Sequence, residues 1–222
     1  MQYYTNVKDF GAIPDGITDC SQSIQKALDF VSAEGGTVFI PAGMYRMNSG
    51  VVVPYGVNVE GETHAATGPW QNWLDGQDKG RPVADDLTLG QWGNSWLDRR
   101  LYKGTWIICD HGVNDLNSPP TFRLESNSSI KKIGFVNALL PPVTEKVVAC
   151  PPVIGAYSSD RITARDGITV EDITLANPYY GIVFAIGEDI ESDYLDIPEN
   201  VVAKSFGRHR IHNVMGGPLH TG

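Results

Sequence analysis

Acidic residues that could transfer protons stand at two places in the sequence. Asp110 follows the apolar run in WIICDHG, and Asp189, Glu191 and Asp193 lie together in GEDIESDYLD. A pair of carboxylates can hydrolyse a glycosidic bond when the two groups lie ~5 Å apart for retention or ~6.5–9.5 Å apart for inversion. We therefore predict Asp110, Asp189 and Asp193 as catalytic candidates. Plainer interpretations stay open: Asp110 as a turn residue, and the second group as a solvated acidic loop. That loop could also hold Ca²⁺, although we predict no cofactor.

Four tryptophans are concentrated between residues 62 and 103. Flat indole rings suit stacking on sugar rings, and arginines can pair with the carboxylates of acidic sugars. The alternative is that the rings pack this insertion against the rest of the fold, with Arg99 and Arg100 as surface residues beside Asp98. We predict as substrate-binding residues Trp70, Trp73, Trp92, Trp96 and Arg99.

Composition limits the partners of the chain. Its 222 residues carry a formal net charge of −9, which disfavours nucleic acid and anionic membranes because both are negative. Polyanionic sugars are disfavoured overall as well, although a local basic site could still hold one. Cys20, Cys109 and Cys150 are odd in number and lack metal-ligand spacing, so we expect buried thiols and no metal site. Neither a signal peptide nor an apolar run of ~18 residues is visible.

One amphipathic helix is predicted near the N-terminus, at about residues 19–34. Its apolar positions follow the spacing i, i+3, i+4 and i+7, which places them on one face. We expect Asp19 as the N-cap, Gln22 as its capping-box partner, and Gly35 and Gly36 as the stop. The apolar positions are Ile24, Ala27, Leu28 and Val31.

Short β-like runs, separated by Gly and Pro, make up the rest of the chain. Three of them place an isoleucine in a strand with an asparagine soon after it, and the isoleucines recur at intervals of 40 and 38 residues. Repeated strands that cannot bury their apolar side alone favour a stack of coils. We therefore predict an all-β parallel β-helix with the helix covering its N-terminal end, ahead of a β-sandwich. Asparagine tolerates left-handed turns and can stack in a ladder; the pairs are Ile133 and Asn137, Ile173 and Asn177, and Ile211 and Asn213.

The segment VKDFGAIPDGITDCSQSIQKALDFVSAEGGTVFIPAGMYRM resembles the N-terminal segment of the pectate-lyase-like superfamily. The resemblance implies a right-handed, single-stranded parallel β-helix that acts on, or binds, extracellular polysaccharide. The catalytic motifs of the hydrolase branch are absent in their proper form, so no catalytic residue follows from the resemblance. The features that carry it are Asp9 to Ala12, Asp15 and Gly16 with Thr18 and Asp19, Ile24 to Ala27, Gly35 and Gly36, and Pro41 with Gly43 and Tyr45.

These patterns predict one β-helix domain over residues 1–222, truncated at its C-terminal coils because NVMGGPLHTG shows no second cap. The expected function is an extracellular or cell-surface carbohydrate-active enzyme, a glycoside hydrolase that works through carboxylates on a polysaccharide. One alternative is a non-catalytic polysaccharide-binding module of the tailspike or adhesin type, which would form a homotrimer if tailspike-like. The other is a polysaccharide lyase or epimerase.

Overall fold

The computed structural model describes residues 3–63, 102–139, 148–157, 165–184 and 208–216. Short parallel strands dominate these residues, joined by one α-helix and a 3-10 turn. The elements are β1 (Tyr3–Asn6), the 3-10 turn (Val7–Phe10), β2 (Asp15–Asp19), α1 (Ser21–Val31), β3 (Gly36–Ile40), β4 (Gly43–Met47), β5 (Val51–Val53), β6 (Val57–Gly61), β7 (Thr105–Cys109), β8 (Phe122–Leu124), β9 (Ser129–Asn137), β10 (Ile154–Gly155), β11 (Thr169–Leu175), β12 (Ile182–Val183) and β13 (Arg210–Gly216).

The strands form three faces that the chain visits in turn. The first face contains β1, β3, β6 and the first halves of β9, β11 and β13. The second face contains β2, β4, β7 and the second halves of the same three strands. The third face contains β5, β8, β10 and β12. The chain visits the three faces in the same order on each circuit, and every strand pair among the described residues is parallel. Each circuit therefore adds one coil to the stack. The predicted right-handed parallel β-helix is confirmed.

One left-handed residue forms the corner between the first and second faces in each of the last three coils. Lys132, Asp172 and Asn213 have φ angles of 61°, 55° and 50°. Such a conformation is costly for residues other than glycine. The three lie at equivalent positions, between the halves of β9, β11 and β13, so the strand pairing on both sides holds the corner in place.

The predicted isoleucine repeat is correct for two coils and wrong for the third. Ile133 and Ile173 are in register, but Val214 continues their row, and Ile211 aligns with Val170 instead. The reason is that Asn213 is itself the corner residue of the third repeat. Ile211 lies two positions before that corner, on the first face, whereas Ile133 and Ile173 directly follow the corner residues Lys132 and Asp172.

The predicted asparagine ladder forms between two coils. Asn177 Oδ1 accepts from Asn137 N at 2.9 Å, and Asn177 Nδ2 donates to Asn137 O at 3.3 Å. Asn213 does not join it, because it occupies the left-handed corner beside Asp172. Of the three predicted asparagines, Asn213 is therefore the one that uses left-handed geometry.

Inward-facing columns of apolar side chains fill the coils. On the first face, Val38, Val59, Ile130 and Val170 lie in register on successive coils, and all four are fully buried. Burying one such side chain contributes ~1.5–3 kcal/mol. A single coil would leave its column exposed, so stacking is what stabilises each unit.

The apolar face of helix α1 is confirmed. The helix packs beside β1, β3 and β5, over the interior of the first coil. That it closes the end of the stack stays a prediction. Its buried residues include all four predicted positions: Ile24, Ala27, Leu28 and Val31.

The predicted capping box is wrong. The N-cap is Cys20, which makes no side-chain cap hydrogen bond. Asp19 belongs to β2, where it pairs with Arg46, and its Oδ1 accepts from Ser21 N at 3.0 Å and Ser21 Oγ at 2.6 Å. The helix ends at C-cap Ser32, before the predicted glycine stop. Asp19 thus lies in β2 because β2 pairs with β4, and the local sequence did not predict this strand.

The three cysteines are buried and unbridged, as expected. Burial raises the pKa of the Cys109 thiol to about 12, so it behaves as an unreactive core residue. No helix in the described residues is long and apolar enough to cross a membrane. The same residues contain no group of three or more His, Cys, Asp or Glu side chains that could hold a metal ion.

Candidate functional site

Polar, charged and aromatic residues line the outer surface of the first face, called here the outer first face. Alternate residues of a strand point to opposite sides, and the strand register aligns the outward positions of successive coils. Coils lie ~4.8 Å apart, so the rows run along the stack. One row contains Tyr4, Thr37, Asn58, Ser129, Thr169 and Arg210, and the next contains Asn6, Phe39, Glu60, Lys131, Glu171 and His212.

Glu60 contacts two lysines of the next coil. Lys132 Nζ lies 2.6 Å from Glu60 Oε1, and Lys131 Nζ lies 3.5 Å from Glu60 Oε2. Burial alone would raise the pKa of Glu60, but the hydrogen bond from Lys132 and the two ammonium charges outweigh it and hold that pKa below its usual value. The same hydrogen bond raises the pKa of Lys132. The carboxylates of Asp172 and Glu171 on the next coil also act on Lys132 and raise its pKa.

The following coils place a histidine beside a carboxylate. Glu171 Oε1 lies 3.6 Å from His212 Nδ1 and 4.0 Å from Arg210 Nη2. The His212 side chain is 61% exposed, so a ligand can reach it. An imidazole in contact with a carboxylate is a candidate for accepting or donating a proton in catalysis.

An aromatic pair stands at the N-terminal end of the outer first face. The rings of Tyr4 and Phe39 stack with their centroids 5.6 Å apart and their planes at 28°. Tyr4 is 60% exposed. Burial, together with the charges of Glu60 and Glu62, raises the pKa of Tyr4, so its hydroxyl stays protonated and can both donate and accept. An exposed ring with a polar edge suits contact with a sugar.

Glu60 is poorly suited to act as the acid of the predicted hydrolysis. Glu60 and Glu171 occupy one row two coils apart, which corresponds to ~9.6 Å and the upper end of the range for inversion. One of the two carboxyl groups would have to be protonated to act as the acid, and that requires a raised pKa. The pKa of Glu60 is lowered instead.

Asp110, a predicted catalytic residue, follows β7 and forms an ion pair with Arg46. Arg46 Nε also donates to Gly16 O at 3.0 Å. Next to Asp110, His111 Nε2 lies 3.0 Å from Thr121 Oγ1. Burial lowers the pKa of His111, although the charge of Asp110 acts in the opposite direction. The structure thus gives Asp110 a positioning partner, and its catalytic role stays a prediction.

The other predicted site residues lie outside the described residues. The convergence of two acids beside the tryptophan-bearing insertion therefore stays a prediction too. These residues are Asp189, Asp193, Trp70, Trp73, Trp92, Trp96 and Arg99.

The charged residues of the outer first face were missed by reasoning from sequence. The sequence pattern that could have indicated them is the alternation of polar and apolar residues in three runs. In VNVEG, SIKKIGF and TVEDITL, polar residues flank the buried Val59, Ile130 and Val170. Each run by itself reads as an ordinary half-buried strand. Their common surface becomes visible once the register aligns the three runs.

Comparisons with known proteins first concern the N-terminal segment. Residues 4–69 match the family described as rhamnogalacturonase A/epimerase, pectate lyase-like. The mannuronan C5-epimerase AlgE5 of Azotobacter vinelandii is 54% identical over 46 residues, which are 20% of this chain and 5% of that protein. The tail spike protein of Shigella phage Sf6 is 44% identical over 62 residues, which are 25% of this chain and 10% of that protein. The chain thus spans a small part of these relatives.

A solved structure extends the likeness to most of the chain. The A-module of the mannuronan C5-epimerase AlgE6 of Azotobacter vinelandii superposes with a TM-score of 0.50 and 20% identity, over 80% of this chain and 40% of that one. At this identity the likeness shows the fold alone. The resemblance to the carbohydrate-active pectate-lyase-like superfamily is confirmed, in the N-terminal segment and in the fold. These relatives do not confirm the predicted glycoside hydrolase, since they are epimerases and a tail spike.

Proposed function

We propose that the chain holds an acidic polysaccharide along the outer first face and acts on it as a C5-epimerase or lyase. The observation that carries this proposal is the pair of ammonium groups, Lys131 and Lys132, held beside Glu60 on that surface. A carboxylated sugar would be attracted there in spite of the net charge of −9. The epimerases among the relatives support this function over hydrolysis.

Epimerisation and elimination begin with the same step, the removal of a proton from the carbon next to the sugar carboxylate. Negative charge then spreads onto the carboxylate, where a fixed ammonium group stabilises it. Lys131 and Lys132 can supply that charge, and His212 beside Glu171 is the candidate for proton transfer. Return of a proton to the opposite side of the carbon gives the epimer. Departure of the glycosidic oxygen from the adjacent carbon gives an unsaturated sugar.

The test is incubation of the full chain with mannuronan in deuterated water. We expect deuterium at C5 of the sugar, seen by NMR, or the ultraviolet absorbance of unsaturated chain ends. The variant Lys131→Gln should lower the rate about tenfold or more, the size of one charge-assisted hydrogen bond. Lys26→Gln removes an exposed lysine of helix α1 and should leave the rate unchanged. New reducing ends without deuterium or absorbance would mean hydrolysis and would overturn the proposal.

Polysaccharide binding without catalysis is the second candidate, and the tail-spike match favours it. In that case the full chain retains mannuronan or another glycan without forming product, and light scattering shows a trimer. Tyr4→Ala should then weaken binding about tenfold, because a stacked ring contributes roughly this much. Phe30→Ala, a 62% exposed ring on helix α1, is the matched control and should bind as the parent does. Both candidates imply a protein that works outside the cell or at its surface.

A further inference from the structure

A second basic group lies where the third face leads into the first. Arg165 Nη2 lies 2.6 Å from Glu125 Oε2, and Arg123 Nε lies 3.8 Å from Glu125 Oε1. Two guanidinium groups therefore share one carboxylate. One positive charge is left in excess, in a chain whose net charge is −9.

The backbone brings the two arginines together from different coils. Arg123 of β8 pairs with Gly155 of β10. The next residue along, Ala156, accepts a hydrogen bond from Arg165 N at 3.3 Å. Because Gly155 and Ala156 are consecutive, strand pairing and this hydrogen bond place both arginines around Glu125. Their arrangement is a product of coil stacking rather than of a flexible surface loop.

Both arginines have donor capacity that their surroundings do not use. The two Nε atoms are buried and lack a hydrogen-bond partner among the described residues. A guanidinium carries five N–H donors in a fork that matches a carboxylate, and the 3.8 Å contact of Arg123 is too long for a hydrogen bond. Each side chain remains 21% exposed, so a ligand can reach the exposed part of each guanidinium, although not the buried Nε atoms. The group therefore combines an excess positive charge with partly exposed side chains that an anion can approach.

We propose that Arg123 and Arg165 bind a sugar carboxylate, as a second anchoring subsite for the acidic polysaccharide. This inference rests on the proposed function and adds the requirement for at least two carboxylates on one polymer. Glu125 precedes Ser129 of the outer first face by four residues, a distance of at most ~13 Å along the chain. A polymer that contacts the outer first face can therefore extend to the arginines. A polymer held at two linked sites binds more tightly than at either site alone, because the second contact forms within a complex that already exists.

The test compares mannuronan oligosaccharides with the same oligosaccharides after reduction of their carboxyl groups, by calorimetric titration of the full chain. Arg123→Gln and Arg165→Gln should each weaken binding of the acidic form about tenfold and leave the neutral form unaffected. Lys26→Gln removes one positive charge from helix α1 and should match the parent. An equal loss for both forms, or no loss for the acidic form, would overturn the subsite while leaving the proposed function in place.

A second variant separates anion binding from a purely structural role. Glu125→Gln removes the carboxylate that competes for both arginines, so the acidic form should bind at least as tightly as it does to the parent. Loss of acidic binding by Glu125→Gln, with the thermal unfolding midpoint of the parent retained, would show that the three residues only brace the corner. If the parent binds neither form, both the proposed function and this subsite fail.

Discussion

The side-chain amide of Gln25 pairs with the backbone of Val52 in the way that a neighbouring strand would. Gln25 Nε2 donates to Val52 O at 3.1 Å, and Gln25 Oε1 accepts from Val52 N at 2.8 Å. Val52 lies on β5, the end strand of the third face. Helix α1 thus satisfies both backbone groups of a residue at an edge that could otherwise pair with another chain.

Replacing Gln25 by Ala should lower the free energy of unfolding by about 1–3 kcal/mol, because the backbone N–H and C=O of Val52 lose their partners together. Gln22→Ala is the matched control, since Gln22 is exposed on the same helix. Urea unfolding measures both variants. Equal losses for the two would show that the pairing with Val52 contributes nothing specific.

Gly134 is predicted to tolerate no side chain, because it lies against the ring of Trp106 on the outside of the second face. A Cβ at Gly134 would be 2.6 Å from Cδ2 and Cε2 of that buried ring. Gly134→Ala should therefore cost about 1–3 kcal/mol of stability through overpacking. In a Trp106→Leu background the same substitution should cost less, and a double-mutant cycle by denaturant unfolding measures the difference. An identical cost in both backgrounds would contradict a role for the ring.

The ion pair of Glu60 should make stability depend on pH on the acid side. The pKa of Glu60 is lower in the folded state, so the unfolded chain binds the proton of this carboxyl group more tightly. The stabilisation that the ion pair gives to the folded state is therefore fully present above the usual glutamate pKa. It is lost as the pH falls through the lowered pKa of the folded state. We expect Glu60→Gln to be about 0.5–1 kcal/mol less stable than the parent near neutral pH. At about pH 3 the gap should narrow, because the parent carboxylate becomes protonated. Thermal unfolding at the two pH values measures it, and a gap that is constant with pH would contradict this account.

His111 should lower stability at mildly acidic pH. Burial depresses its pKa, so the unfolded state takes up a proton first as the pH falls below the usual histidine pKa of about 6.5. His111→Gln removes this proton uptake while keeping a group that can bond to Thr121. We expect its unfolding midpoint to vary less than that of the parent between about pH 7 and pH 5. The same slope in both proteins would show that another group is responsible.

Much of the fold follows from local patterns in the sequence. The buried side of α1 was predictable because Ile24 and Val31 follow the period of a helix, and that period survives in the fold. The stacked coils were predictable because short apolar strands without partners must bury their faces against one another. Asp19 shows where this reasoning fails, since its place in β2 depends on a pairing with Arg46 that no local pattern records.

By itself, the sequence determined that the chain is a β-helix with an amphipathic helix near its start, because side-chain periodicity and turn residues act over a few neighbouring positions. The tertiary structure decided which outward residues meet. Glu60 and Lys132 lie 72 residues apart and touch because β6 and β9 pair in one particular register across a long insertion. A strand shifted along its neighbour keeps the same local pattern, so the composition of the candidate site is a property of register and not of any single segment.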